Sequence, residues 1–299
     1  MKLKPYSEND MPRMVSLLNE VQRQSYEFIP YTEEGLRARL TGASSVLLTV
    51  DEQDRILGFA YLRQDWYGET FTLCVRFCPE RDEISDRLLA AIEPANKTGD
   101  VSTSIDPLDS DRLAFFTARG YEPESSLYQM LADLEQPLPL PPLPDGYVAR
   151  CLRPDEEEAL IQLANAAYDG DRLRPGILER WRADDPIFDV DLVHLAEYGG
   201  ELVALVAGRS DLEYNKHYRA RRGYLGPACT LPAHRAKGLI KVLTARAMHS
   251  LRDRGMRTVC LHTWEGNPPA VKLTKDLGFR VGHEYRILHK ILPRSGEPR

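Results

Sequence analysis

The stretch Thr230-Leu231-Pro232-Ala233-His234-Arg235-Ala236-Lys237-Gly238-Leu239-Ile240-Lys241-Val242-Leu243 decides how this chain is read. Pro232 closes the strand-like run Tyr224–Leu231. From about Lys237 to Arg254 the residues Leu239, Leu243, Ala247 and Leu251 recur every fourth position, which predicts a helix with one apolar face toward a sheet. The turn between strand and helix is basic, through Arg235 and Lys237, and Gly238 permits close backbone approach. A helix that starts there offers unpaired amides and the positive end of its dipole, which suits an anion such as a phosphate. Solvated helix starts are also decorated by Arg and Lys, so this turn needs support from its surroundings.

Working outward, strands are predicted near Tyr147–Leu152, Leu192–Tyr198, Leu202–Ser210 and Tyr224–Leu231. After the helix come a strand at Thr258–Thr263, a helix at Pro268–Leu277 and strands around Phe279–Val281 and Tyr285–Ile291. Asn267 is placed to cap the second helix at its start and Gly278 at its end. Strands in runs, mixed with helices, argue for an α/β (α+β mixed) fold with a mixed, mostly antiparallel sheet flanked by helices.

The first half reads like a weaker copy. A strand-like opening and a capped helix appear near residue 3 and recur near residue 147, where Asp155 is the expected N-cap and Glu158 completes a capping-box pattern. Pro79 ends a strand as Pro232 does, and Arg119-Gly120-Tyr121 matches Leu277-Gly278-Phe279. The offset between matched positions drifts upward along the chain, as loop insertions in a duplicated domain would make it. Between the copies lies Glu135-Gln-Pro-Leu-Pro-Leu-Pro-Pro-Leu-Pro-Asp-Gly146, which reads as a semi-rigid extended linker. The expected organisation is a domain over 1–135, a linker over 136–145, a second domain over 146–292 and a tail over 293–299.

Composition agrees with two soluble globular domains. The chain has 299 residues, about twice the ~150 of one domain, with 42% hydrophobic and 28% charged residues. Lys and Arg number 39 against 45 Asp and Glu, a net charge of −6, which argues against a general nucleic-acid binder. Five scattered cysteines argue against a disulfide framework, and Cys74 and Cys78 have no second ligand pair nearby, so no metal site is expected. No apolar leader and no run of 18 apolar residues is present, so a cytoplasmic location without membrane association is expected.

Taken together, the turn after Pro232 and the segment from Asn267 to Phe279 resemble the GNAT acyltransferase superfamily. The family's pyrophosphate loop is matched by Pro232, Arg235 and Gly238, and its later motif by Asn267, Ala270, Leu273, Gly278 and Phe279. The resemblance covers nearly all of the second half and, more faintly, the first, and implies two tandem GNAT-like domains. It implies acetyl-CoA as cosubstrate and direct attack of a primary amine, from a small molecule or a peptide, on the thioester. By that resemblance Cys229, Thr230 and Leu231 on the strand, Arg235, Ala236, Lys237, Gly238, Leu239 and Ile240 at the turn, and Asn267 would border the cofactor. Backbone amides around Cys229 and Thr230 would polarise the thioester carbonyl.

The sequence departs from the family in instructive places. Ile240 stands where a glycine-like residue is usual, and Thr274 stands where the family often has a tyrosine that protonates the leaving thiolate. An alcohol is a far poorer acid than a phenol, so Thr274 is expected at most to hydrogen-bond the sulfur. In the first half Glu80-Arg-Asp-Glu-Ile-Ser-Asp-Arg has no glycine, Asp109 replaces the motif asparagine, and Asp82, Glu83 and Asp86 would repel a diphosphate. A degenerate first copy that kept its fold and lost its cofactor follows, leaving the C-terminal domain active.

The base that takes the amine proton is open at this stage. Glu213, between two strands beside the acceptor cleft, is one candidate, and a solvated loop carboxylate is the plainer reading. His262, at the exit of the strand beside the cofactor strand, is another, with a structural histidine as its alternative. Tyr224, at the start of the cofactor strand, is a third candidate with packing as its plainer reading, and Cys229 is read as a packing residue rather than a nucleophile. Asp169, Asp171, Asp184, Asp185, Asp189 and Asp191 could draw in a cationic acceptor or merely be solvated. A non-catalytic acyl-CoA-binding or protein-interaction module is the competing function, and the chain is expected as monomer or homodimer.

Overall fold

The computed structural model describes residues 1–65, 68–75, 82–96, 99–136 and 138–292. The readings of Pro79, Cys78, Pro137, Glu80 with Arg81, and the tail 293–299 lie outside them. The element order of the first half is β1 (Lys2–Pro5), α1 (Met11–Val21), α2 (Glu33–Leu40), β2 (Ala43–Val50), β3 (Ile56–Asp65), β4 (Gly68–Val75), α3 (Asp82–Ile92), β5 (Asp100–Ile105), α4 (Ser110–Thr117) and β6 (Glu122–Asp133). The second half repeats it as β7 (Tyr147–Cys151), α5 (Glu157–Tyr168), α6 (Ile177–Asp184), β8 (Val193–Tyr198), β9 (Glu201–Ser210), β10 (Arg222–Thr230), α8 (Leu239–Asp253), β11 (Thr258–Trp264), α9 (Pro268–Asp276) and β12 (Arg280–Ile291). One helix, α7 (Leu212–Tyr218), is added between β9 and β10.

The compact units do not follow the two halves of the sequence. One comprises Met1–Leu127 together with the C-terminal residues from Glu284, and the other comprises Tyr128–His283. In the first unit β1 to β4 pair antiparallel in chain order. β5 runs parallel to β4 and is covered on its other edge by β12, antiparallel from Arg286 opposite Ile105 to Ile291 opposite Asp100. Leu288 lies in the same core as Phe115, Phe116 and Tyr121, whose rings meet edge to face at 5.3 and 4.9 Å.

The second unit takes the end of the first-half strand β6. Met130, Ala132 and Leu134 are buried in its core, and the Leu134 amide donates to the Arg257 carbonyl at 2.8 Å. β7, β8, β9 and β10 pair antiparallel in sequence. Against one sheet face lies α8, whose Leu239, Leu243, Ala247 and Leu251 are buried as the four-residue spacing predicts. Gly223 makes that contact possible, because a Cβ there would stand 2.7 Å from Leu251 Cδ1.

Three local expectations change. Glu156, not Asp155, caps α5, and no side chain caps its amides. Glu156 instead accepts from the Arg153 amide at 2.9 Å and pairs with Arg150 at 2.7 Å, so the charge pair displaced the expected capping box. The two closing strands are the single strand β12. The described part of the proline-rich segment is packed: Leu138 and Leu143 lie against the core of the second unit, and the Leu138 carbonyl meets His249 Nε2 at 2.6 Å.

Candidate active site

The strands β10 and β11 run parallel over only three residue pairs, Arg222 with Thr258, Gly223 with Val259 and Tyr224 with Cys260. Beyond Tyr224 the two strands part. On its other edge β10 stays paired with β9 to Thr230, after a register shift between Leu225 and Ala228 where Gly226-Pro227 forms a cis peptide. A notch therefore opens between β10 and β11, bordered by β10 backbone that β11 no longer pairs, an edge of the kind on which an extended guest chain can lie. Ala228 on this stretch is exposed, while Cys229 and Thr230 are buried.

At the end of β10 the chain makes a short turn over Pro232–His234 and enters α8. Ala236 and Gly238 both have left-handed backbone, with φ of 60° and 81°. A Cβ built at Gly238 would meet nothing within 4 Å, so open space faces the turn. The first backbone bond of α8 runs from the Val242 amide to the Gly238 carbonyl at 3.2 Å, which leaves the amides of Leu239, Ile240 and Lys241 without a helical acceptor. Such an arrangement at the mouth of the notch suits an anion.

The cationic residues of the turn take different parts. Arg235 is tied to backbone, donating from Nε to the Thr230 carbonyl at 3.2 Å and from Nη2 to the Ala167 carbonyl at 3.0 Å. It braces the turn against the end of α5. Lys237 donates to the Tyr147 hydroxyl at 3.0 Å, and that hydroxyl meets His234 Nδ1 at 2.8 Å. Tyr147 is the residue that sequence reasoning missed; its position in the first strand of the repeat carries no motif. Ile240 and Leu231 lean on the core instead of projecting into the turn, and Leu239 is buried.

The opposite face of the sheet from α8 carries a second group of side chains. Tyr224 and its cross-strand partner Arg209 point there, and His262 on β11 joins them with its ring 6.0 Å from that of Tyr224. His262 is exposed. Tyr168 at the end of α5 donates to the Ala228 carbonyl at 2.8 Å, beside the notch. Burial pushes the Tyr168 phenol above its ordinary range, the nearby Cys229 adds to that, and the Arg172 guanidinium opposes it. Burial also pushes the Cys229 thiol up to about 12, against the pull of Arg172 and Arg235. A thiol held that high stays protonated near neutral pH and is no nucleophile.

Three residues named from the sequence are placed as follows. Thr274 is buried and its hydroxyl donates within its own helix, to the Ala270 carbonyl at 3.0 Å and the Val271 carbonyl at 2.9 Å. Asn267 accepts from the Ala270 amide at 3.3 Å as the N-cap of α9. Glu213 is exposed in the first turn of α7, not in a loop, and makes no hydrogen bond or ion pair among the described residues. The aspartates are largely structural. Asp185 is buried and accepts from the Ser210 amide and hydroxyl, both at 2.6 Å, and Asp191 pairs with Arg254 at 2.6 Å. Among the described residues no three His, Cys, Asp or Glu side chains gather as metal ligands, and no helix is long and apolar enough to cross a membrane.

Comparison with known proteins agrees with this geometry. Residues 157–279 match the family model described as Acetyltransferase (GNAT) family. The chain is 31% identical to the mycothiol acetyltransferase of Thermobispora bispora over 263 residues, covering 84% of this chain and 86% of that protein. It is likewise 31% identical to the mycothiol acetyltransferase of Thermomonospora curvata, covering 84% of each. Among solved structures it is similar to a GCN5-related N-acetyltransferase from Sphaerobacter thermophilus, with TM-score 0.68 and 20% identity over 98% of this chain and 96% of that one. A tandem GNAT protein from the clavulanic acid biosynthesis pathway is similar in fold, with TM-score 0.66 and 17% identity over 98% of this chain and 99% of that one. The splayed strand pair, the amide-lined turn and these relatives lead to one conclusion: the chain belongs to the GNAT superfamily and is an N-acetyltransferase.

Proposed function

We propose that the second unit transfers an acetyl group from acetyl-CoA to the primary amine of a small molecule by direct attack. The observation that carries this reading is the parting of β10 and β11 after Tyr224 and Cys260, directly above the amide-lined start of α8. The residues fit the cosubstrate: amides of residues 236–241 and the Lys237 ammonium receive its diphosphate, and the free edge of β10 pairs with its extended arm. When bound there, acetyl-CoA supplies the activated acyl group. Relatives named mycothiol acetyltransferase support a small-molecule acceptor over a peptide.

His262 takes the amine proton. It is exposed on the acceptor face beside Tyr224, whereas Glu213 lies apart on α7. An alkylammonium with pKa near ~10.4 must lose its proton before attack, and the His262 imidazole relays that proton to water. Backbone amides of β10 beyond Tyr224 polarise the thioester carbonyl, and buried Cys229 forms no covalent link. Thr274 spends its hydroxyl on its own helix, so the departing thiolate is protonated by solvent.

The test is thiol release from acetyl-CoA with a panel of small amines, together with calorimetric stoichiometry. Release with one bound acetyl-CoA per chain is the expected result. His262→Gln should lower turnover by about 10²–10⁴-fold, the range of general base catalysis, while Glu213→Gln changes it little. The reverse order would move the base to Glu213. No release with any amine would overturn the enzymatic reading.

A further inference from the structure

The acceptor face carries more positive charge than attack by an amine requires. Arg209 stands opposite Tyr224 in the β9–β10 register. Its guanidinium lies 5.3 Å from the Trp181 ring centre and 5.7 Å from that of Tyr224. Its Nε is buried and has no hydrogen-bond partner among the described residues. A buried guanidinium N–H left without a partner forfeits the hydrogen bond it would make to water. The two aromatic rings near it stabilise the cation but take none of its N–H bonds. The fork at the edge of this group is unspent.

Other charges around it reinforce the sign. Arg172, just beyond α5, lies with its guanidinium 5.1 Å from the Tyr168 ring centre. Both cations act on Tyr224: burial drives its phenol up, the Cys260 thiol adds to that, and Arg209 and Arg172 pull the other way. Asp211 is the carboxylate that also acts on Tyr224, and it is engaged by Arg222 Nε at 2.8 Å and by Cys260 Sγ at 3.5 Å. Asp185 and Asp191 are spent on Ser210 and Arg254.

We propose, resting on the acetyl-transfer reading above, that the acceptor bears an anionic oxygen group, a carboxylate or a phosphate, in addition to its amine. Arg209 clamps that group through its two Nη groups, for which no partner is found among the described residues, a geometry in which a guanidinium holds two oxygens at once. Anchored beside Tyr224, the acceptor reaches with its amine toward His262 and the notch between β10 and β11. Arg209 thus selects the substrate class and takes no part in the proton transfer.

Matched amines that differ in charge test this. Binding of 6-aminohexanoate against 6-aminohexanamide, and of O-phosphoethanolamine against ethanolamine, is measured by calorimetry on the full chain saturated with CoA, alongside thiol release from acetyl-CoA. The anionic member of at least one pair should bind about 10- to 100-fold more tightly, the effect of a charged hydrogen-bonded pair. The pair that discriminates tells carboxylate from phosphate. In Arg209→Gln the preference should fall to about one, and Arg209→Lys should keep part of it, with acetyl-CoA affinity reporting that each variant is folded. Equal binding of both members of each pair by the unaltered protein, or a preference that survives in Arg209→Gln, overturns the proposal. Thiol release without a charge preference sinks the anion site alone. Selective binding without thiol release from any amine leaves the anion site standing and sinks the acetyl-transfer reading.

Discussion

The starts of α8 and α3 occupy matching places in the two copies and have been put to opposite uses. α8 begins at an exposed basic turn with Gly238 in left-handed backbone and helix amides that no carbonyl takes. α3 begins with Asp82 and Glu83, and Arg119 is drawn onto Asp86 at 2.8 Å and Asp82 at 3.5 Å while its guanidinium lies 3.5 Å from the Phe115 ring centre. The Arg119 side chain binds the helix start to α4, so the first copy uses for packing the place where the second leaves its basic turn open. Phe115, Phe116 and Tyr121 remain buried alongside. The comparison teaches that core packing and the chemistry of the helix start are separable demands on one fold: the buried rings of the first copy do not depend on a basic, open turn.

The severest way to break the comparison is to cut the chain between the copies. Residues 145–299 alone lack Met130, Ala132 and Leu134, which the second unit buries in its core. Restoring water to Met130 and Leu134 costs about 1.5–3 kcal/mol each, against a total stability of about 5–15 kcal/mol. The fragment should aggregate or lose cooperative thermal unfolding, while 128–299 should fare better. A soluble, fully active 145–299 fragment would show that the borrowed strand is dispensable.

Next in size is Gly238→Glu, which writes the chemistry of the α3 start into the α8 turn. The left-handed φ of 81° costs a side chain about 1–2 kcal/mol, and a carboxylate enters the cradle. Acetyl-CoA affinity should fall by more than about 100-fold, with circular dichroism unchanged. Unaltered affinity would detach the turn from phosphate binding.

A smaller effect is expected from Tyr147→Phe, which removes the hydroxyl shared by Lys237 and His234. Losing one positioning hydrogen bond, about 0.5–1.5 kcal/mol, should weaken acetyl-CoA by about 2- to 10-fold. Titration calorimetry reads this directly, and a change confined to turnover would assign Tyr147 to the chemistry instead. The least effect belongs to Thr274→Val. Its hydroxyl bonds only carbonyls of its own helix, so turnover should move by less than about twofold and stability by about 1 kcal/mol. A large drop in thiol release would restore Thr274 to the sulfur.

Much of the site was legible because its signals are local. The turn after Pro232, the left-handed Gly238 and the Asn267 cap each depend on residues within a few positions, where backbone sterics and hydrogen bonding act directly. Arg235 was read correctly as part of the turn, yet its partners, the carbonyls of Thr230 and Ala167, include one 68 positions away. Tyr147 and Arg209 carried no motif at all, because what defines them is the hydroxyl and ring they meet across strands. Thr274 was read from the position of a family tyrosine, but the side chain is short enough to bond back to its helix.

The sequence by itself determined the duplicated element order, the α8 face and the place of the turn before α8, since periodicity and turn chemistry are written over short spans. Only the tertiary structure decided which strands complete each unit, where β10 leaves β11, and which side chains meet on the acceptor face. Strand partnership and the direction of a guanidinium depend on groups tens to hundreds of residues apart, whose meeting is fixed by burial of the whole core and not by any local preference.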